Sequence, residues 1–339
     1  MGGEMHWLLR LGAWGIALAS APSPELQRFE AVEPHMGTLV RITVYTTGEQ
    51  GARDAFRAGF QRIADLDATL SDYKPDSELN RLSTAAVGHA TAVSQDLFRV
   101  LAASQELAEA TGGAFDVTQG PLIRLWREAR TTRRVPDASA LEEAASRGGF
   151  RKMHLDAARR TVRLDVAGMQ LDVGAIGKGF AASEALAAVT RLGVRRALVA
   201  VSGDLAFSDA PPGQRGWRVR VASDDPPPAG VPAYLELTHA AVSTAGSSEQ
   251  HVDIDGRRYS HIIDPASRLG LVDDITVTVI ATHGLEADGL DTAVSVLGVE
   301  KGLALIESRP TAAAVIIRRT AEGPTAILST RFRQLLPTP

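Results

Sequence analysis

The sequence predicts an α+β fold, a single domain with largely antiparallel sheets and packed helices. Three observations carry this. The apolar-polar segments beyond residue 217 follow one another with turns between them, not helices. Two long stretches of helical periodicity precede them, and no long linker, repeat or low-complexity tract interrupts the chain from Met36 onward.

Taken in order, Thr38 to Tyr45 alternates as a half-buried strand, and Ala52 to Leu70 places Phe56, Phe60, Ile63 and Leu66 or Leu70 at helical spacing. Ser94 to Ala110 reads as a second helix, ended by Gly112-Gly113 where glycine relieves a left-handed cap. Strands are expected at Thr161 to Leu164 and Met169 to Val173, then a helix from about Gly177 to Leu192 and a strand at Ala197 to Val201. Four further strands follow, at Trp217 to Val221, Ala233 to Thr238, Arg257 to Ile263 and Ile275 to Ala281. Helices at Leu285 to Leu297 and Lys301 to Glu307, with strands at Ala313 to Ile317 and Ala326 to Leu328, close the chain.

Composition narrows the function. A formal net charge of −4 over 339 residues gives no electrostatic reason to bind a phosphate backbone, so no nucleic-acid partner is expected. The absence of cysteine removes thiol nucleophiles, iron–sulfur clusters and disulfides, leaving oxygen and imidazole as metal ligands. Only Lys74, Lys152, Lys178 and Lys301 are lysine among 36 basic residues. Residues 1–21, with Arg10, the apolar run Leu11 to Ala19 and the small residues before Pro22, read as a signal peptide. The run is too short to span a bilayer and no cysteine follows it, so the domain, residues 22–339, is expected to be exported to the periplasm or the outer membrane face and not to be a lipoprotein.

Three constellations could carry chemistry. Leu171 to Gly179 leaves a strand and enters a helix, where free N–H groups, the helix dipole and Lys178 suit a phosphate. The spacing is not a Walker loop; it does match a relaxed dinucleotide fingerprint, with Asp204 as a ribose-binding acid, which keeps a Rossmann-type dehydrogenase as an alternative. In Glu286 to Thr292 a helical register puts Asp288, Asp291 and Thr292 on one face, three oxygen donors for a hard cation such as Mg²⁺ or, more plainly, acids that complement a helix N-terminus. Ser260 and His261 are adjacent and on a strand point to opposite faces, so they form no dyad; His261 alone could act as a base toward a bound hydroxyl, or be structural.

Together with His35-Met36-Gly37-Thr38, Leu70 to Leu82, Gly112 to Leu122, Ser202-Gly203-Asp204 and Leu297-Gly298, these motifs occur in an order that resembles the ApbE family of FAD:protein FMN transferases, over about residues 36–330. The resemblance implies a Mg²⁺-dependent enzyme that cleaves FAD, attaches FMN to a threonine or serine of an acceptor protein and releases AMP. By similarity Met36, Tyr73, Ala114, Phe115, Asp116, Asp172, Lys178 and Ile263 contact FAD. The Ala175 carbonyl, Asp288, Asp291 and Thr292 hold the metal, and His261 is the catalytic base. The implied acceptor is a flavin-bearing subunit of a membrane redox complex. Two departures are visible: Asp72 stands where threonine is common, and Ser243 to Gln250 lacks an aromatic residue often found there. The nearest alternative is a Mg²⁺-dependent FAD pyrophosphatase in which water replaces the acceptor hydroxyl; a flavin-binding protein without turnover is a further one.

Overall fold

Val40, Ile42 and Val44 point to one side of their strand, and this alternation is repeated across an eight-stranded antiparallel sheet that organises the molecule. The computed structural model describes residues 25–221, 226–246 and 250–336; the expected signal, residues 1–21, lies outside them.

The chain begins with a hairpin, β1 (Gln27–His35) and β2 (Thr38–Thr46), closed by Met36 and Gly37. Both turn residues have positive φ, 50° and 70°, as a two-residue hairpin turn requires. Next come α1 (Glu49–Leu70), α2 (Glu78–Ser83), the short β3 (Thr91–Ala92), α3 (Gln95–Ala110), α4 (Gly120–Thr132) and α5 (Ala138–Ser146). A small sheet adds β4 (Met153–Asp156) and β5 (Thr161–Leu164) to β3, before α6 (Gly177–Thr190). The second half holds β6 (Arg196–Val201), β7 (Asp204–Phe207), the β8 (Trp217–Arg220) and β9 (Tyr234–Leu237) pair, and β10 (Ala240–Gly246). A separate ribbon of β11 (His251–Ile254) and β12 (Arg257–Ser260) precedes β13 (Ile275–Ala281), α7 (Gly284–Glu307), β14 (Ala313–Thr320), β15 (Gly323–Leu328) and α8 (Thr330–Gln334).

The large sheet runs β1-β2-β6-β7-β10-β13-β14-β15, and every neighbouring pair is antiparallel. This is the α+β class read from the sequence, and it excludes the doubly wound alternative, because Asp204 opens a strand antiparallel to β6. The main core lies between the sheet and α1, α6 and α7, with Phe180, Leu66 and Ile63 against Val199, Val277 and Val279. A second core fills the opposite face beneath Trp217, Leu235 and Phe332. A third, small core joins α4 and α5 to the β11–β12 ribbon through Leu122, Trp126 and Tyr259.

Three elements differ from expectation. Met169 to Val173 is not a strand: its N–H groups go singly to scattered partners, Leu171 to Ser83 Oγ and Asp172 to the Val117 carbonyl, so no ladder forms. The strand expected at Arg257 to Ile263 stops at Ser260, and the chain then turns around Asp264, whose carboxylate accepts from the N–H groups of Ala266 and Ser267. The two C-terminal helices are halves of α7, broken at Gly298, where φ 75° and ψ −177° are open to glycine.

Candidate functional site

α6 is buried on nearly every side, and its small residues let α7 approach closely at the first turn. That approach aligns Lys178 with three acids. Asp288 and Asp291 project from α7 and Asp204 from the start of β7, each no more than 3% exposed. Lys178 Nζ lies 3.5 Å from Asp204 Oδ2 and 3.9 Å from Asp288 Oδ1, and donates to the Gly174 carbonyl at 2.9 Å. The Gly179 N–H donates to Asp288 Oδ2 at 2.8 Å. Thr292 Oγ donates to Asp291 Oδ1 at 3.2 Å, and both follow Asp288 at the i+3 and i+4 positions of α7.

The charges at this junction do not balance. Burial raises the Asp288 carboxyl, and Asp204 raises it further, to about 7 against the opposing pull of Lys178 and the Gly179 and Lys178 N–H groups. Burial, Asp288 and Asp204 likewise push Asp291 well above the usual carboxylate range. Burial pulls the Lys178 ammonium down, but Asp288, Asp204 and Asp291 outweigh it and hold it up. Ser243 Oγ bonds to both Asp204 Oδ1 and Asp291 Oδ2. A hydroxyl has one hydrogen, so one of the two contacts needs a proton on a carboxyl. Three acids against one ammonium thus hold a surplus of negative charge that a divalent cation would relieve. Among the described residues no three His, Asp or Glu side chains form a metal cage. The oxygens that could hold such a cation would form a mixed set: the Asp288 and Asp291 carboxylates and the Thr292 hydroxyl on α7, and the carbonyl of Ala175 in the turn before α6. Such a set suits Mg²⁺, which takes one or two carboxylates and leaves positions for substrate phosphate oxygens.

The glycine turn departs from expectation. Its N–H groups are not free for an anion: Gly174 donates to Asp172, Gly177 to the Val173 carbonyl and Gly179 to Asp288. The positive group at this turn is the ammonium of Lys178, not those N–H groups.

On the other side of the turn, buried Asp172 accepts from Arg127 Nη2 at 2.7 Å, while Arg127 Nη1 bonds to Asp72. Burial and the nearby Asp72 raise the Asp172 carboxyl, opposed by Arg127 and the Gly174 N–H. The guanidinium carbon stands 4.5 Å from the ring centroid of Tyr73, a residue 74% exposed. The departure at Asp72 is therefore paired with an arginine that motif reading does not reveal.

The remaining expected FAD contacts are placed unevenly. Phe115 is buried in the main core, and both Asp116 oxygens are already used by Thr118, Gln119 and the Phe150 N–H. Ala114 and Asp116 beside it are half-buried. Met36 sits in the β1–β2 turn against the main core, whereas Ile263 packs on the third core beside Tyr259. His261 lies past the end of β12, and Tyr259 is buried against Trp126, rings 5.1 Å apart.

His261 is nevertheless well placed. Its Nδ1 lies 3.1 Å from the Gln250 carbonyl, which fixes the tautomer with hydrogen on Nδ1 and leaves Nε2 as an acceptor. Burial lowers its pKa, and the positive charges of Arg130 and Lys178 lower it further, against the Gln250 carbonyl. These effects together favour the neutral ring at pH 7. Two cavities, of about 520 and 490 Å³, open elsewhere, one beside Tyr45 and Arg196, the other beside Ser183 and His283; neither is lined by Lys178, Asp288, Asp291 or His261.

A family model described as the ApbE family matches residues 36–317. The chain belongs to the ApbE family. The FAD:protein FMN transferase of Klebsiella pneumoniae (strain 342) is 32% identical over 310 residues, covering 89% of this chain and 87% of that one. That of Treponema pallidum (strain Nichols) is 33% identical over 309 residues, 86% and 85% of the two chains. Among solved structures, the flavin transferase ApbE from Vibrio cholerae superposes with a TM-score of 0.83 at 26% identity, covering 92% of this chain and all of that one. The apo form of the Pseudomonas stutzeri flavinyl transferase ApbE gives 0.80 at 30% identity, 92% and 97% of the two chains. Within this ApbE chain the sequence gives Asp204 a different role, and Arg127, Arg130, Ser243 and Gln250 stand in no spacing that signals a ligand.

Proposed function

We propose that this protein transfers FMN from FAD to a threonine or serine hydroxyl of an acceptor protein and releases AMP, with Mg²⁺ at the Asp288, Asp291, Thr292 and Ala175 carbonyl donors. The observation that carries the reading is the Lys178 ammonium set among buried Asp204, Asp288 and Asp291, with His261, its Nδ1 held by the Gln250 carbonyl, as the base. The relatives' names supply the reaction class.

Lys178 would hold the FAD pyrophosphate, and Asp172 and Tyr73 would face the nucleotide. The acceptor oxygen attacks the flavin-side phosphorus and the P–O bond to the AMP half breaks. AMP leaves with the bridging oxygen, and His261 Nε2 takes the hydroxyl proton. Bound Mg²⁺ would supply charge neutralisation at the phosphate oxygens. Lys178 adds to this as negative charge moves to the leaving AMP oxygen. The same reading takes residues 1–21 as an export signal and the acceptor as a flavin-bearing subunit of a membrane redox complex.

The test is to incubate the purified protein with FAD, Mg²⁺ and candidate acceptors. A fluorescent flavin band on the acceptor in a denaturing gel, matched by an equal yield of AMP, supports the transferase. AMP with no labelled acceptor moves the reading to an FAD pyrophosphatase, in which His261 activates water.

A further inference from the structure

We propose that Arg127 is a positioning residue for the nucleotide substrate, acting through Tyr73: it sets the exposed tyrosine ring as a platform on which a planar ring of FAD stacks. The proposal rests on FAD being the substrate.

Arg127 is carried by a helix that is itself fixed. Trp126, its neighbour in α4, is buried in the third core and donates from Nε1 to the Arg268 carbonyl at 2.9 Å. From that anchor the guanidinium reaches three groups on two other segments. Its two Nη atoms bond to Asp72 and Asp172, and its carbon stands over the Tyr73 ring. A guanidinium can do this because its donors form a planar fork whose face remains open for an aromatic ring; an ammonium offers only a point charge.

The same geometry argues against a direct phosphate role. Both Nη atoms donate to carboxylates and two acids flank the one guanidinium, so its positive charge is already matched. What the arrangement leaves available is Tyr73, 74% exposed, with one face of the ring held by a cation and the rest open to solvent. Such a ring is ordered before any ligand arrives, which reduces the entropy lost on stacking.

The backbone around Tyr73 does not depend on Arg127. Asn80 Nδ2 donates to the carbonyls of Asp72 and Lys74 at 2.9 and 2.8 Å, and the Tyr73 N–H is 3.3 Å from Ser71 Oγ. Lys74 adds an ion pair to Asp67 at 2.7 Å. Loss of the guanidinium therefore frees the Tyr73 ring without releasing its loop.

The experiment is a double-mutant cycle with Arg127→Lys, Tyr73→Ala and the combined variant, reading the KM for FAD, kcat, and quenching of flavin fluorescence on binding. Lysine keeps a positive charge beside buried Asp172, so the fold is maintained where Arg127→Met would leave that acid unpaired. Arg127→Lys is expected to raise the FAD KM about tenfold with kcat within about threefold, and to weaken the quenching. In the Tyr73→Ala background the same change should add less than about twofold. An equal factor in both backgrounds, or a wild-type KM in Arg127→Lys, overturns the proposal. Failure of the wild type to quench flavin or turn over FAD is a separate outcome that removes the FAD reading itself, and this one with it.

Discussion

Gly179 and Gly284 meet backbone to backbone where α6 crosses α7. A Cβ on Gly179 would lie 2.2 Å from the Gly284 carbonyl oxygen, and one on Gly284 would lie 2.0 Å from that of Gly179. No side chain fits, and the crossing brings Gly179 N–H to Asp288 and Lys178 beside it. Gly179→Ala must push the helices apart and is expected to cost at least about 1–3 kcal/mol, as overpacking of a tight core does, and to blunt the response to Mg²⁺. Thermal melting with and without Mg²⁺ checks this; wild-type values in both would show that the crossing is not tight.

The acid cluster predicts a pH dependence of opposite sign to ordinary paired carboxylates. Asp288, raised from 3.8 to about 7, keeps its proton in the folded state when the unfolded chain has lost it. Its contribution is therefore fully present below pH 3.8 and is lost as pH rises through about 7. In EDTA, the melting temperature should fall from pH 5 to pH 8 more steeply in wild type than in Asp288→Asn. Mg²⁺ should stabilise the wild type more at pH 8 than at pH 5. Equal stabilisation at both pH values would mean that the cation binds elsewhere.

Much of this architecture is legible in the sequence because it rests on periodicity. Ile275 to Ala281, buried along its whole length, shows as a run of β-branched residues, whereas the Ala52 to Leu70 helix declares its buried face by spacing. Asp288, Asp291 and Thr292 were legible for the same reason, since helical geometry dictates that they converge. β1 was missed because most of its residues are exposed and its register comes from pairing with β2, and α4 because Gly120-Pro121 reads as a turn although proline is at home in a helix's first turn. Arg127 and Ser243 were illegible for a different reason. Each reaches its partners across 39 residues or more, from Ser243 to Asp204 and from Arg127 to Asp172, and only the tertiary fold brings them together.

Asp288→Asn removes a charge from the proposed cation donors while keeping the side chain's size. FAD turnover at low Mg²⁺ is expected to fall at least about tenfold, since even residues that only support metal ligands commonly cost 10–100-fold. A Mg²⁺ titration of AMP release makes the measurement. A wild-type titration curve would take Asp288 out of the site.

Lys178→Ala should raise the FAD concentration needed for half-maximal rate and also lower kcat, because the ammonium faces the pyrophosphate before and during bond breaking. Its removal also leaves Asp204, Asp288 and Asp291 without their counter-charge, so the variant should melt at higher temperature at pH 5 than at pH 8. Steady-state kinetics over a range of FAD concentrations decides the first point; an unchanged KM would show that Lys178 serves the acid cluster alone.

The account turns on His261 as the base for the acceptor hydroxyl, and His261→Ala measured in two ways tests it most directly. FAD binding is followed by flavin fluorescence, and covalent labelling of the acceptor is quantified beside AMP release. The account predicts FAD affinity within a few-fold of wild type and a loss of labelling of roughly 10²–10⁴, the range for a missing general base. Unimpaired labelling in the variant would contradict it.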